Sequence, residues 1–199
     1  MNETTRRGFI FGAATVAAYG VLVGVQRLCL SAFAGEPPPE DDPGPVKIAR
    51  FAADGTELGT TSLAKVRKSK EEWQKQLTPL QFDVTRRAAT EWAFTGALYD
   101  EHRSGLYRCM DCDSALFSSA AKFDSGTGWP SFWAPIAPEN VYEKTDLSAG
   151  VLRREVKCRL CEAHLGHVFT DGPEPTGLRY CMNSAALRFI PTTLRRPAA

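Results

Sequence analysis

Two short stretches, Tyr107-Arg108-Cys109-Met110-Asp111-Cys112 and Lys157-Cys158-Arg159-Leu160-Cys161, decide how the rest of the chain is read. Each carries a pair of cysteines separated by two residues. Two such knuckles can bring four thiolates around one tetrahedral Zn²⁺, whose preferred soft ligands are thiolates. The knuckles lie much further apart than in a simple zinc ribbon. A metal at Cys109, Cys112, Cys158 and Cys161 would therefore tie distant parts of one β domain together rather than nucleate a small module. Four closed ligands make such a site structural, with no open position for chemistry. Disulfides are the alternative that an exported chain permits, and a redox-active CxxC is a third; two pairs at matched spacing argue against the third.

The segments around the knuckles read as short strands. After Thr90, β-like runs at 105–108, 151–156, 178–183 and 187–190 alternate with Gly, Pro and Asp turns. Upstream, 46–51 and 58–61 read as strands around an Asp54-Gly55 turn. Ser69 followed by Glu72 is a capping-box pattern opening a short helix through Trp73 and Leu77. Thr78-Pro79-Leu80-Gln81 repeats the signal with Pro at the first helical position, predicting a second helix over 79–89. The expected class is mainly β, or α+β: small N-terminal helices followed by an antiparallel β core.

The chain has 199 residues, 43% of them hydrophobic, with 24 Lys+Arg against 23 Asp+Glu. That length suits one domain with an appendage, and the balance of charge leaves no basic footprint for nucleic acid. The apolar content excludes a wholly disordered chain, and no repeat or heptad run is present.

The appendage is N-terminal. Thr5-Arg6-Arg7-Gly8-Phe9-Ile10 opens an uncharged run over 8–25, and Ala32-Phe33-Ala34 supplies a small-x-small cleavage pattern. The paired arginines resemble a twin-arginine export signal. The run also reaches the lower limit for a spanning helix, so a membrane anchor through 8–25 is the competing reading, and a buried helix of the domain is the third. The first two put the domain outside: periplasmic, or anchored on the outer side of a bacterial inner membrane. Residues 35–45, rich in Pro and acid, read as a linker, leaving 46–199 as the domain with a core at about 69–191.

Cys181 stands outside both knuckles. If 178–183 is a strand, Arg179, Cys181 and Asn183 share one face, with Leu178, Tyr180 and Met182 on the other. A neighbouring cation favours thiolate, the nucleophilic form. Upstream, His164-Leu165-Gly166-His167 places two imidazoles beside a knuckle, where they could orient a substrate oxygen or pass protons to it. A lone cysteine is more often a small buried hydrophobe. The combination of polar strand face, two histidines and zinc clamp favours cysteine-based catalysis.

Several blocks together carry a family resemblance. Phe123-Asp124-Ser125-Gly126-Thr127-Gly128-Trp129-Pro130-Ser131-Phe132, His164-Leu165-Gly166-His167-Val168-Phe169 and Arg179-Tyr180-Cys181-Met182-Asn183-Ser184 are similar to the signature blocks of B-type methionine sulfoxide reductases. Thr90-Glu91, Phe94-Thr95-Gly96 and both CxxC pairs match in order. The resemblance covers about 69–191. It implies two antiparallel sheets with small helices, a structural zinc, and thiol-dependent reduction of the R epimer of methionine sulfoxide in oxidised peptides and proteins. Cys181 would attack the sulfoxide sulfur and become a sulfenic acid. His164, His167 and Asn183 would bind and protonate the oxygen, Arg179 would hold Cys181 as thiolate, and Trp129 would pack against the substrate methyl. Trp73, Trp92 and Trp133 read as ordinary buried indoles.

One departure matters. Many relatives carry a resolving cysteine in the turn before Gly-Trp-Pro, and here that position is Thr127. The implied type is one-Cys, recycled by a thioredoxin-like or small-thiol reductant. Cys29 is lost if the signal is cut after Ala34; if the segment stays as an anchor it reads as packing, with a resolving role toward Cys181 as the alternative. Two other classes share some features: a non-catalytic zinc β module binding a protein or small ligand, which has no use for Cys181, and a thiol peroxidase, whose motifs are missing.

Overall fold

The computed structural model describes residues 44–148 and 150–192. The signal or anchor segment (1–34), nearly all of the linker, Cys29 and the tail at 193–199 lie outside the described residues. Among those described, no helix is long and apolar enough to cross a membrane.

The local signals come first along the chain. Strands β1 (Val46–Phe51) and β2 (Glu57–Leu63) form an antiparallel hairpin across the Asp54-Gly55 turn. Helices α1 (Lys70–Gln76) and α2 (Pro79–Arg87) each start with a closed capping box. The Ser69 hydroxyl accepts the Glu72 N–H at 3.2 Å, and the Glu72 carboxylate accepts the Ser69 N–H at 2.7 Å. Thr78 and Gln81 exchange the same pair of bonds. Helix α2 ends where Ala88 turns left-handed, with φ +55°.

The remaining strands are β3 (Gly105–Cys109), β4 (Ala115–Ser118), β5 (Lys122–Phe123), β6 (Ser131–Phe132), β7 (Val141–Asp146), β8 (Arg153–Cys158), β9 (His164–Phe169), β10 (Arg179–Met182) and β11 (Leu187–Pro191). They make two antiparallel sheets beside the N-terminal hairpin: six strands in the order β5-β6-β10-β9-β8-β7, and three in the order β11-β3-β4. The mainly β, two-sheet expectation therefore holds, with helices at the N-terminal side.

The two sheets share an aromatic core. Phe117 of β4 stacks on Phe132 of β6 at 4.5 Å between centroids, and Tyr107 of β3 meets Phe132 edge-on at 4.8 Å. All three are fully buried. Each such ring removes a large apolar area from water, and the stacked and edge-on contacts add directional preference. Buried Asn140 fastens the hairpin to this core. Its amide exchanges two hydrogen bonds with the Ala49 backbone, both 2.8 Å, and donates a third to the Ala115 carbonyl at 2.7 Å.

Several boundaries and strands differ from the sequence reading: β2 is longer than the expected 58–61, and α2 stops at Arg87 short of the expected 89. The run expected at 151–156 starts only at Arg153, because the segment before it is the turn joining β7 to β8. The run expected at 178–183 ends at Met182, and Asn183 begins a 3₁₀ turn at Ser184–Ala186. Strands β4, β5, β6, β7 and β9 carry no period-2 signal strong enough to read. Two of them are two residues long, and β9 has an irregular register between its histidines. Trp92, read as buried, is 85% exposed on the loop after Glu91, whereas Trp73 is buried and Trp133 half-buried.

Candidate active site and metal centre

Strand β10 runs through the interior of the six-stranded sheet, so Cys181 has a neighbour on each side: His167 of β9 and Ser131 of β6. Residues directly opposite in antiparallel strands project to the same face. Beyond Ser131 lies a chain of hydroxyls. Ser125 Oγ is 2.7 Å from Ser131 Oγ and 2.8 Å from Thr127 Oγ1, and Thr127 Oγ1 is 4.0 Å from Cys181 Sγ. Burial pushes the Cys181 thiol up. Thr127, Arg179 and Ser131 pull it down without offsetting that burial. Arg179 acts in the direction expected of it, toward thiolate, while burial favours the thiol. Arg179 is itself engaged: it donates to both carboxylate oxygens of Asp171, at 2.9 and 2.8 Å, and lies over the Phe169 ring.

The two histidines reach the same region through an irregularity. On a regular strand, residues three apart face opposite ways. Here Glu155 pairs with His167 and Lys157 with His164, a slip in register that brings the two rings to 5.4 Å between centroids. Gly166 makes the close approach feasible: a Cβ there would stand 2.1 Å from the Cys181 carbonyl oxygen. His164 is 3% exposed. Its Nδ1 lies 2.7 Å from Glu155 Oε1, and its buried Nε2 has no partner. Burial lowers the His164 pKa despite the opposing pull of Glu155, so the ring is neutral at pH 7. His167 Nε2 lies 2.7 Å from Asp146 Oδ2, which also accepts from Arg153 at 2.7 Å. Hydrogen bonds from Ser148, with smaller help from His167 and Arg153, hold Asp146 far below the usual carboxylate range.

Asn183 sits differently from the sequence expectation. It follows the last residue of β10 with extended backbone and caps the 3₁₀ turn, and its side chain is committed to backbone partners. Its amide oxygen accepts the Glu91 N–H at 3.0 Å and its NH₂ donates to the Leu165 carbonyl at 3.1 Å. Glu91 is the junction here. Its buried carboxylate accepts the N–H groups of Ser184 (2.6 Å) and Ala185 (2.9 Å), and its carbonyl accepts the Trp129 indole N–H at 3.2 Å. The half-buried Trp129 is thereby tied to the chain just after Cys181. Sequence reading noted Glu91 only as part of a motif, and it missed Asp146, Glu155 and Asp171 as partners. A cavity of about 570 Å³ is lined by Glu91 together with Leu80, Leu98, Met110, Ser184 and Phe189; its lining includes neither Cys181 nor a histidine.

The knuckles converge. Cys109 ends β3 and Cys158 ends β8, so the cluster joins the three-stranded sheet to the six-stranded one. Each knuckle closes with a left-handed residue directly after its second cysteine, Asp113 at φ +63° and Glu162 at φ +62°. The four Sγ atoms lie within 4.8 Å of one another, with Cys109–Cys161 at 3.5 Å and Cys112–Cys158 at 3.6 Å. All four are free thiols, not disulfides. A tetrahedron with metal–sulfur bonds of about 2.3 Å has edges near ~3.8 Å, close to these two separations, so the donor set suits a metal ion.

Comparison with known proteins places this geometry. The SelR domain matches residues 77–191, more than half of the chain. A peptide methionine sulfoxide reductase MsrB of Herminiimonas arsenicoxydans is 56% identical over 128 residues, which is 64% of this chain and 93% of that protein. Proteins of the same name from Hahella chejuensis and Acinetobacter baylyi are 55% and 51% identical, covering 63% of this chain and 90% and 91% of their own lengths. The helices, both sheets from β3 to β11, both knuckles and Cys181 fall within or beside the matched segment, and the chain belongs to the SelR-domain family of MsrB-type peptide methionine sulfoxide reductases.

Proposed function

We propose that this chain, an oxidoreductase by family, reduces the R epimer of methionine sulfoxide in oxidised peptides and proteins, with Cys181 as nucleophile. The observation that carries the reading is the setting of Cys181. Among the described residues it is the one cysteine outside the four-sulfur cluster, and it lies between His167 and the Ser131 hydroxyl.

The step balances internally. Cys181 Sγ attacks the sulfoxide sulfur and forms an S–S bond while the oxygen takes up a proton; the S–O and S–S bonds then break as the hydroxyl moves to Sγ and the S–S electron pair returns to the methionine sulfur. The oxygen passes to Sγ as a sulfenic acid, and methionine leaves as a thioether. The proton lost by the thiol is the one the oxygen gains. Burial favours the thiol, so we assign a neighbouring imidazole to carry that proton, and the support for His167 is that it is the cross-strand neighbour of Cys181. His164, with its ring proton on Nδ1 toward Glu155, presents a bare, buried Nε2 that can accept a hydrogen bond from the oxygen once that oxygen carries a proton. Asn183 acts from behind by fixing Glu91 and Leu165, and Arg179, clamped by Asp171, supplies a stationary positive charge. Trp129 offers an apolar wall for the methyl group; a fixed wall and a fixed oxygen site together distinguish epimers.

The four-sulfur site suits Zn²⁺, which would be held by Cys109, Cys112, Cys158 and Cys161 and would brace the sheets without touching substrate. With Thr127 in place of a resolving cysteine, two equivalents of an external thiol complete the cycle, releasing water and leaving as a disulfide. A small thiol or a thioredoxin-like protein fits that role. Export before this work begins is inferred from Thr5-Arg6-Arg7-Gly8-Phe9-Ile10 and the apolar run after it, ending in a periplasmic or membrane-anchored protein. Replacement of Arg6 and Arg7 by Lys should leave the protein in the cytoplasmic fraction; unchanged export contradicts that part.

The test of the reaction is turnover by the full chain with dithiothreitol on the separated R and S epimers of a blocked methionine sulfoxide. R-only turnover supports the reading. Turnover of the S epimer, or none from folded protein, removes it.

A further inference from the structure

The guanidinium of Arg86, on α2, reaches both cysteine knuckles at once. Its Nε donates to Asp111 Oδ2 at 2.6 Å, and its Nη2 donates to the same oxygen. Asp111 lies between Cys109 and Cys112 in the first knuckle. In the other direction, Nη1 donates to the Cys161 carbonyl at 2.9 Å and Nη2 stands 3.4 Å from Cys161 Sγ, both in the second knuckle. The flat face of the group rests on the Trp73 ring of α1, 4.1 Å from its centroid. The side chain is 15% exposed and its Asp111 partner not at all.

Four thiolates around a divalent cation leave two negative charges in a buried place, where uncompensated charge is costly. A guanidinium is always protonated and presents several N–H groups in a fixed fork. Such a group can serve a carboxylate, a carbonyl and a sulfur from one position. A lysine in its place supplies the charge as a point and loses the directions.

We propose that Arg86 is the positioning residue of the four-sulfur centre: it holds the two knuckles at coordinating distance, offsets the charge of the thiolates and thereby sets how long the metal stays. The inference rests on the zinc reading above. Asp111, in turn, orients Arg86 toward the second knuckle.

The test follows zinc transfer from the full, zinc-loaded chain to a chromophoric chelator. It compares the parent with Arg86→Lys, Arg86→Met and the double variant Arg86→Met/Asp111→Asn, each checked by circular dichroism. Arg86→Met should release zinc at least about 10-fold faster, as loss of a partner to a metal ligand commonly does. Arg86→Lys should fall between it and the parent. The double variant should stay fast, because removing Asp111 restores nothing to Cys161. Release from Arg86→Met at the parental rate overturns the proposal. Parental release from the double variant also overturns it, by reducing Arg86 to a counter-ion for Asp111. If Arg86→Met does not fold, Arg86→Lys decides alone, and a rate equal to the parent's overturns the proposal. A parent that holds no zinc sinks the metal reading itself, and the proposal with it.

Discussion

At the scale of single residues, the cluster of four cysteines and the candidate nucleophile Cys181 could be singled out from local patterns, a CxxC knuckle and an alternating strand. Their partners could not. Glu91 meets Asn183 and Ser184 across more than 90 residues, and Asp146 meets His167 across 21, so nothing local marks either carboxylate. Asn183 shows what a face assignment leaves out: its amide bonds the backbone of Glu91 and Leu165, two residues far away in sequence. Since burial raises the Cys181 thiol, its alkylation, followed by mass spectrometry of its peptide in zinc-loaded protein, should accelerate with pH to a midpoint above the ordinary thiol value of 9.0. Thr127→Val removes a hydroxyl that favours thiolate and should move that midpoint further up; a downward move contradicts the assignment. Thr127→Cys places a second sulfur where Oγ1 now stands 4.0 Å from Cys181 Sγ, close enough for a disulfide after a small shift. After one equivalent of sulfoxide without reductant, peptide mapping of this variant should find the introduced sulfur joined to Cys181 as a disulfide. Its reactivity toward a sulfenic-acid reagent should be lost.

At the scale of elements, strong local chemistry was readable and weak periodicity was not. Both capping boxes form as the sequence implies, since each needs only residues three apart. Strands β5 and β6 have two residues each and exist because β10 pairs with β6, a tertiary event with no local signature. Strand β9 hides its character behind a glycine and two histidines whose irregular register is the feature that brings the rings together. That irregularity depends on Gly166. Gly166→Ala would drive a Cβ to 2.1 Å from the Cys181 carbonyl oxygen, which is backbone and cannot turn aside. The expected cost is about 3 kcal/mol or more in urea unfolding, at the upper end for one substitution. Activity in the surviving folded fraction should also fall, because β9 and β10 must separate. Parental stability contradicts the close approach.

At the scale of the whole molecule, two sheets are joined by an aromatic core and again by the sulfur cluster, which gathers the ends of β3 and β8. The sequence already implied that a metal at these cysteines would bind distant parts of one domain. It did not reveal which sheets those parts belong to, because strand order is set by long-range pairing. Chelation of the zinc proposed at these cysteines should lower Tm by at least about 10 °C, or ~3–5 kcal/mol at this chain length. Readdition of zinc should restore it, and an unchanged Tm contradicts the bracing role.

Everything in the proposed reaction turns on Cys181 alone taking the oxygen from the sulfoxide. The most direct test is a single turnover of the full chain with excess methionine-R-sulfoxide, no reductant, and dimedone to trap sulfenic acid. One equivalent of methionine per chain and one dimedone adduct, located on Cys181, are expected, with neither formed by Cys181→Ser. Methionine formed by folded Cys181→Ser, or an adduct on a knuckle cysteine instead, would contradict it.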